Sequence, residues 1–365
     1  MSLFLIDADR DWRDSQRQVL DLARELRKKG LAAHLVVEPG SALQAKADAE
    51  GLSVVPLRMR GRMKWFARRG LVRAMRAHGC RLAHFHDPVS AAFGLEASAS
   101  ALVPVNILSR PADSSPLEGR LPFASIDAVI AGSDGIRSIL IRGGVAEAKV
   151  EVVPPGRDFS AFLSPGPGDL LRDAFGFQPT DFLAGVVVPL EDERGHHALI
   201  EAAAVVHEQA PKVKVVVVGE GTLRLESGEA GAGRRMDNLH YFLGFRKDAP
   251  RVLASLNMFA VFSHLDGLGG FLVEAMAAGL PVAAADVGAV RDIVTPRETG
   301  LLVPARGAKA LADAILRVHA DKVLAARLAA RGRESVLEKY SSEAMARRII
   351  GIYEWRAHRK GVKLG

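Results

Sequence analysis

The sequence predicts an α/β fold in which two domains each carry a parallel β-sheet. Short apolar, β-branched runs alternate with helix-length segments along almost the whole chain, and this alternation is typical of βαβ units. The chain has 365 residues, more than a single hydrophobic core usually serves, so we expect two domains. With 48% hydrophobic and 25% charged residues, the composition is that of a globular protein.

The first half of the chain contains seven predicted strands. Residues 16–30 carry apolar side chains at helical spacing and stop at Gly30, so they predict a helix between the first two strands. The strands are predicted at residues 3–6, 33–37, 53–56, 82–86, 103–109, 128–131 and 150–153. A dinucleotide-binding dehydrogenase needs Gly-x-Gly-x-x-Gly after its first strand, and residues 7–12 contain no glycine, which excludes that class.

A stretch rich in proline and glycine, residues 154–168, predicts the boundary between the domains. The second series of strands is predicted at residues 182–188, 213–219, 239–243, 258–262 and 282–285. After Arg306 the pattern is helical, and Ser341 and Ser342 are expected to cap a last helix that runs through Trp355.

Residues 266–282, DGLGGFLVEAMAAGLPV, predict a glycine loop, a short helix and a buried strand. The helical run closes on Gly279 and Pro281, the usual order at a helix end. The loop glycines let a ligand approach the backbone, and the first helical turn offers unpaired N–H groups and a positive dipole end to an anion. We therefore expect a phosphate there, with the carboxylates of Asp266 and Glu274 reaching hydroxyl-rich groups on either side of it.

This stretch resembles the acidic-x7-acidic signature of the retaining, family 4-like nucleotide-sugar glycosyltransferases. The order of a strand, Trp12, residues 16–20 and a helix resembles the opening of the members that build lipopolysaccharide cores. In that family the second acid holds the donor ribose, the first lies beside the transferred sugar, and the glycine loop binds sugar hydroxyls and diphosphate. The resemblance gives Glu274 the ribose contact and Asp266, where the family usually has glutamate, the sugar contact. The donor-binding residues it implies in this stretch are Gly267, Gly269, Gly270, Phe271, Leu272 and Val273.

Other segments of the second half resemble donor-binding motifs of the same family. Residues 188–202 resemble Gly-Arg-Leu-x-x-x-Lys-Gly, whose two cations clamp the donor diphosphate; Arg194 takes the lysine position, but Pro189 replaces the arginine. The loss of one cation removes charge stabilisation as the diphosphate leaves. The turns that resemble the family's contacts to the nucleotide base contain Gly219, Gly221, Phe245 and Arg246.

The first half carries the residues that the resemblance places on the acceptor side. His86 and Arg110 each end a predicted strand and match positions that face the interdomain cleft in the family. Ligands of open α/β sheets lie outside the carboxyl ends of the strands, so this placement is physically sensible. Gln16 and Ser133 are also expected on the acceptor side, whereas His84 is expected to be a core histidine.

The resemblance implies a GT-B architecture of two Rossmann-like, doubly wound domains that face a cleft. The domains are expected at residues 1–160, joined by a returning helix at 341–365, and at residues 161–340. The implied reaction transfers a sugar, with retention, from a nucleotide-diphosphate sugar to a lipid-linked or saccharide acceptor in lipopolysaccharide or other cell-surface glycan synthesis. The residues expected to be catalytic are Asp266, Glu274, Arg194, His86 and Arg110. No metal or further cofactor is expected.

Two other functions stay open. A nucleotide-sugar 2-epimerase of the same fold needs no acceptor, and a non-catalytic nucleotide-sugar-binding module shows no turnover. The second alternative is motivated by the departures at Pro189, at Asp266 and at Asp14-Ser15, which stands where the family usually has Gly-Gly. An acid in that loop is expected to repel the donor phosphate.

Net charge and its distribution indicate an anionic partner. The net charge is +7 and the isoelectric point about 9.7. No acid lies between Gly51 and His86, while arginines, lysine and apolar residues interleave from Arg58 to Arg76, which predicts an interfacial helix on an anionic membrane. The alternative is a solvated basic helix with its apolar face in the core. Nucleic acid is not expected, because no recognised binding motif accompanies the charge.

The number of cysteines and the lengths of the apolar segments predict the cellular compartment. A single cysteine, Cys80, rules out a disulfide framework and is expected to be buried. The apolar run at the N-terminus is too short for a signal peptide, and no segment approaches the roughly 18 apolar residues of a spanning helix. We expect a cytoplasmic protein, with the basic segment as a route to the inner face of the membrane.

Overall fold

The computed structural model describes residues 2–61, 64–110, 123–166, 170–187, 193–218, 234–236, 240–244, 248–262, 269–288, 290–305 and 307–363. The chain divides into two compact units. Unit 1 comprises Met1–Asp158 and Lys339–Gly365, and unit 2 comprises Phe159–Glu338. The chain crosses from one unit to the other after Asp158 and again after Glu338. Each crossing lies two residues before the boundary expected from the sequence.

The described residues form fourteen strands and fourteen α-helices. The strands are β1 (Ser2–Asp7), β2 (Ala32–Val37), β3 (Val54–Pro56), β4 (Cys80–Phe85), β5 (Val105–Arg110), β6 (Ala128–Ala131), β7 (Val150–Val152), β8 (Phe182–Val187), β9 (Val213–Val218), β10 (Arg234–Met236), β11 (His240–Gly244), β12 (Met258–Val261), β13 (Val282–Ala285) and β14 (Leu301–Val303). The helices are α1 (Asp14–Lys28), α2 (Ala42–Ala49), α3 (Lys64–Ala77), α4 (Pro88–Ala101), α5 (Asp134–Arg142), α6 (Ser160–Leu163), α7 (Leu170–Phe175), α8 (Glu193–Gln209), α9 (Ala249–Ala254), α10 (Gly269–Ala277), α11 (Val290–Ile293), α12 (Ala308–Ala320), α13 (Lys322–Tyr340) and α14 (Ser342–Arg359).

Each unit is built on a seven-stranded sheet. The strand order is β3-β2-β1-β4-β5-β6-β7 in unit 1 and β10-β11-β9-β8-β12-β13-β14 in unit 2. Among the described strands only β10 runs antiparallel to its neighbour. The order reverses between β1 and β4 and again between β8 and β12, which makes both sheets doubly wound and creates a switch point in each. The predicted strands are confirmed, while β10 and β14 were not predicted.

The two faces of the unit 1 sheet are covered by different helices. Leu3 and Leu5 of β1 point into a core shared with α1 and α14. Phe4 and Ile6 point to the other side, where they join the core under α3 and α4. Because successive side chains of a strand face opposite ways, α3 and α14 lie on opposite faces of the sheet.

The last helix returns to unit 1, as predicted, and runs to Arg359, four residues beyond Trp355. Ser341 caps it, since its hydroxyl accepts a hydrogen bond from the backbone N–H of Ala344 at 3.1 Å. The two chain crossings lie side by side: the N–H of Arg157 donates to the Tyr340 carbonyl (2.8 Å), and the N–H of Ser342 donates to the Arg157 carbonyl (2.9 Å).

Helix α3 buries only part of the apolar side chains predicted for it. Leu71 and Met75 are fully inside the core, so the core-packing alternative is correct for them. Trp65 and Phe66 remain 45% and 62% exposed. Among the helices that the structure describes, none is both long and apolar enough to cross a membrane.

Candidate active site

The switch point of unit 1 contains a buried carboxyl group, Asp7, at the end of β1. The amide nitrogen of the Gln16 side chain donates to both carboxyl oxygens, at 3.2 and 3.0 Å, and the N–H of Asp9 donates to Oδ1 at 3.0 Å. Burial, with a smaller contribution from the negative charge of Asp87, raises the pKa of Asp7 to about 7. Asp7 therefore exchanges a proton near neutral pH.

Asp87, which follows β4, ties two loops together. Its carboxylate caps α4 by accepting hydrogen bonds from the N–H groups of Val89 and Ser90, at 2.8 and 2.9 Å. The other oxygen accepts from the N–H of Ala8 at 2.8 Å. Arg60 holds the same residue from the opposite side, because its Nε donates to the Ala8 carbonyl at 2.9 Å. The start of the β1–α1 loop is thus fixed at both backbone groups of Ala8.

His84 is a core histidine, as predicted. Its Nδ1 lies 2.6 Å from the hydroxyl of Tyr353, and its Nε2 lies 2.7 Å from the hydroxyl of Ser109. Both ring nitrogens are satisfied inside the protein. Burial lowers the pKa of His84 well below its usual value, with the neighbouring His86 as the second cause.

His86 lies directly after β4 and stacks on the ring of His84, with the centroids 4.0 Å apart. It is buried, and its Nε2 has no hydrogen-bond partner among the described residues. Burial lowers the pKa of His86 to about 3, so the ring is neutral near pH 7. A neutral imidazole with one unpaired nitrogen can make one hydrogen bond to a hydroxyl group, but with this pKa it is a weak base.

The remaining residues predicted for the acceptor side lie along the same edge of the sheet. Arg110 is the last residue of β5 and is buried. Ser133 follows β6 and caps α5, since its hydroxyl accepts from the N–H of Ile136 at 3.3 Å. Gln16, in the first turn of α1, is held by Asp7 and by the Ser15 hydroxyl, which donates to its Oε1 at 2.9 Å. Ser133 and Gln16 thus have structural roles, and their contact with an acceptor stays a prediction.

Asp14, the acid expected to repel a phosphate, has a cationic partner. Its carboxylate accepts a hydrogen bond from Arg157 Nη2 at 3.1 Å. Arg157 belongs to the first crossing between the units, so this ion pair links the start of α1 to that crossing. The pair offsets the negative charge that the sequence places in the loop.

In unit 2, α10 begins at Gly269, as the glycine loop predicts. Gly269 lies close against α11, because a Cβ there would be 3.1 Å from Cδ1 of Ile293. Phe271 in the first turn is exposed, and Glu274, about one turn further on, is buried. The helix ends before Gly279, whose φ of +83° is the left-handed conformation that favours glycine at a helix end. Leu272 and Val273 are buried in the helix.

Seven positions predicted for the donor side lie outside the described residues: Asp266, Gly267, Gly219, Gly221, Phe245, Arg246 and Pro189. Arg194 is the second residue of α8, and only its backbone is described. Helices α8 and α10 follow β8 and β12, which are neighbours at the switch point of the unit 2 sheet. Arg194 and Gly269 therefore begin helices on the carboxyl side of adjacent strands.

Two family models match the chain, one in each unit. Residues 15–161 match Glycosyltransferase Family 4, and residues 169–335 match Glycosyl transferases group 1. Unit 1 thus carries a Glycosyltransferase Family 4 domain and unit 2 a Glycosyl transferases group 1 domain, and the chain is similar over both units to family 4-like glycosyltransferases. The second match includes residues 266–282 and confirms that this stretch belongs to a glycosyltransferase domain.

Curated relatives share part of their length with this chain. The chain is 28% identical over 240 residues to the lipopolysaccharide core biosynthesis mannosyltransferase LpsB of Rhizobium meliloti (strain 1021). This alignment covers 63% of the chain and 66% of LpsB. The chain is 35% identical over 168 residues to the phosphatidyl-myo-inositol mannosyltransferase of Mycobacterium leprae (strain TN), covering 45% of this chain and 44% of that protein. Both alignments span less than two thirds of the relative.

Solved structures match over nearly the full length. Anabaena Alr3699/HepE in complex with UDP superposes with a TM-score of 0.74 at 21% identity, covering 97% of this chain and 99% of HepE. The complex of HepE with UDP-glucose gives a TM-score of 0.68 at 20% identity, with the same coverage. Together with the two doubly wound sheets, this similarity identifies the predicted GT-B fold.

Sequence reasoning missed part of the unit 1 site. Asp7 directly follows the apolar residues of the first predicted strand, and Asp87-Pro88-Val89-Ser90 has the residue order of a helix cap. The local sequence could therefore have identified both acids. It could not have identified Tyr353, which lies 269 residues from His84 along the chain.

Proposed function

We propose that this protein is a family 4-like glycosyltransferase and moves a sugar from a nucleotide-diphosphate sugar to a hydroxyl acceptor with retention at the anomeric carbon. The observation that carries the proposal is the start of α10 at Gly269 with the buried Glu274 one turn further on. Free N–H groups at the start of a helix favour a phosphate, and a carboxylate nearby suits the hydroxyls of a ribose. HepE, which has a similar fold, was solved with UDP and with UDP-glucose.

In this proposal the charge that develops on the leaving diphosphate is stabilised by the first amides of α10 and by Arg194. Glu274 holds the ribose, and Asp266 lies beside the transferred sugar. No protein nucleophile is assigned. The leaving diphosphate instead guides the acceptor hydroxyl in from the face that it vacates, which accounts for retention.

The acceptor is assigned to unit 1, at the edge that carries His86 and Arg110. In this proposal Nε2 of His86, which is buried and has no partner among the described residues, makes one hydrogen bond to a hydroxyl group of the acceptor once this edge opens to admit it. We assign a lipid-linked saccharide of lipopolysaccharide or another cell-surface glycan, because LpsB is named for lipopolysaccharide core biosynthesis and the mycobacterial relative for phosphatidyl-myo-inositol.

A thermal-shift screen with UDP, GDP, ADP, CMP and their sugars tests the donor. A ligand that binds only the folded state raises the melting temperature, so one nucleotide class should stand out. The selected sugar nucleotide is then incubated with acceptors, and the anomeric configuration of the product is read by NMR. A product formed without acceptor indicates an epimerase, binding without turnover indicates a binding module, and an inverted product contradicts the retaining mechanism.

A further inference from the structure

The exposed side of α3 combines aromatic rings and arginines on one stripe. At about 100° per residue, five side chains fall within roughly a third of the helix circumference. These residues are Trp65, Phe66, Arg69, Arg73 and Arg76, and all are exposed. We propose that this stripe, together with Arg58 and Arg60 ahead of the helix, docks unit 1 on an anionic lipid bilayer.

The two aromatic rings are only partly covered by the described part of the chain. Trp65 and Phe66 contact each other edge to face, with centroids 4.9 Å apart, yet remain about half exposed. The guanidinium of Arg69 lies 3.7 Å from the centroid of the Trp65 ring. An indole beside a cation suits the boundary between lipid headgroups and acyl chains, where the ring meets apolar groups and the cation meets phosphates.

The charge on this surface is not compensated locally. No aspartate or glutamate occurs between Gly51 and His86. Arg68 is paired with Glu96, but no carboxylate in the described ranges lies within ion-pair distance of Arg58, Arg69 or Arg73. The positive potential is therefore available to an external anion, and the exposed rings favour a bilayer over a purely ionic partner.

Helix α14 offers a matched surface that differs in charge. Trp355 is 46% exposed and lies 4.1 Å from the guanidinium of Arg356. There, however, Arg356 is paired with Glu151 at 3.0 Å and Lys360 with Asp127 at 2.6 Å, which leaves Arg359, 5.1 Å from the centroid of the Trp355 ring, as the cation beside this ring without a carboxylate partner in the described ranges. Since α3 and α14 cover opposite faces of the sheet, a bilayer can meet only one of them. The uncompensated cations favour α3.

The stripe adjoins the edge that carries the acceptor-side residues. Helix α3 follows β3, so its first turn, with Trp65 and Phe66, lies on the carboxyl side of the unit 1 sheet. Arg60, just before the helix, donates to the carbonyl of Ala8 in the β1–α1 loop. A lipid-borne acceptor would thus enter at that edge. Bilayer binding needs no substrate, so its test is independent of the proposed transferase activity.

Co-sedimentation with vesicles tests the proposal. Wild type is compared on phosphatidylcholine vesicles and on vesicles that also contain phosphatidylglycerol, and only the second should bind. Changing Arg69→Gln and Arg73→Gln together should weaken binding about thirtyfold, since each basic residue near an anionic surface contributes about fivefold. Trp65→Ala with Phe66→Ala should also weaken it, and Trp355→Ala should match wild type. Melting curves confirm that each variant is folded.

Fluorescence then locates the ring. In a protein carrying Trp12→Phe and Trp355→Phe, only Trp65 remains, and brominated lipid should quench its emission if it enters the acyl boundary. Equal binding to neutral vesicles, unchanged binding of the arginine variant, or an unquenched Trp65 would overturn the proposal. So would binding to a mixed-sequence RNA oligonucleotide in the absence of vesicle binding, which assigns the surface to nucleic acid.

Discussion

His84 Nδ1 and the hydroxyl of Tyr353 lie 2.6 Å apart, and this contact joins β4 to the returning helix α14. Ser109 holds the second nitrogen of the same ring, and His86 stacks on it. The helix that completes the unit 1 core therefore also orients His84, and through the stacked rings it positions His86.

Replacing Tyr353→Phe should destabilise unit 1 by about 1–3 kcal/mol, because the buried Nδ1 of His84 loses its partner. Urea unfolding followed by circular dichroism measures the change. Tyr241→Phe removes a hydroxyl from unit 2 and is the control for general effects of the substitution. A loss no larger than that of the control would show that the buried contact contributes little.

The pKa of His86, about 3 in the folded protein against 6.5 for the free side chain, predicts a loss of stability in acid. Between these values the unfolded chain binds a proton that the folded protein excludes, so stability falls as the pH drops from 6.5. The slope is about 1.4 kcal/mol per pH unit for one such histidine. His86→Gln should flatten the curve between pH 6.5 and 5, with pH 8 as the internal reference. A parallel curve would contradict the assigned pKa.

The change of stability with pH that Asp7 contributes has the opposite sign to that of His86. The pKa of Asp7 is raised from 3.8 to about 7, so the folded protein keeps a proton that the unfolded chain has released, and stability is lost as the pH rises through this interval. Asp7→Asn, which cannot ionise, should gain about 2–3 kcal/mol relative to wild type between pH 5 and pH 8. Unfolding of both proteins in urea at the two pH values gives the difference. The same difference at both pH values would show that Asp7 is ionised throughout.

Replacement by alanine should change stability in opposite directions at two glycines, one packed against α14 and one within it. A Cβ on Gly156 would lie 2.6 Å from Cβ of Met345 and 2.9 Å from Cα of Ser342, so Gly156→Ala should cost about 1–3 kcal/mol. Gly351 lies within α14 with open space around it, so Gly351→Ala should stabilise the protein by about 0.5–1 kcal/mol. Thermal melts of both variants decide the matter. Stabilisation by Gly156→Ala would mean that the crossing can move away from α14.

Glu274→Ala should weaken binding of the bare nucleoside diphosphate far more than Asp266→Ala does. The proposed ribose contact acts on every nucleotide, whereas the proposed sugar contact acts only on the intact donor. Titration calorimetry with the diphosphate selected by the screen measures both. Glu334→Ala, at an exposed acid of the same unit, serves as the control. Equal losses for Glu274 and Asp266 would contradict the two roles.

The sequence predicts best the strands that are apolar throughout. The bounds of β6 and β13 agree with the prediction to the residue, because all their residues are buried and their runs end abruptly. Strand β10 was missed because its three residues, Arg-Arg-Met, form an antiparallel edge with no apolar pattern. Short edge strands are specified by their neighbours rather than by their own composition.

In the candidate site, too, some features could be predicted from the local sequence and others could not. Positions fixed by local order, such as His86 and Arg110 at strand ends, could be predicted from the sequence, as could the start of α10. Partners chosen by tertiary packing could not. The resemblance marked Asp14 as an unfavourable acid, but only the fold shows that Arg157 pairs with it. Likewise, the Asp7 carboxyl reveals its raised pKa only when its burial is known.

Unit 1 is assembled from two stretches of chain that are separated by all of unit 2. On the ribosome, the sheet and its first helices emerge long before α14, so the apolar surface that Ile349 and Tyr353 later fill stays uncovered while residues 159–338 are made. Domains usually fold in the order of their synthesis, but here the second unit can finish first. We expect the nascent chain to need protection from aggregation until its last helix is released.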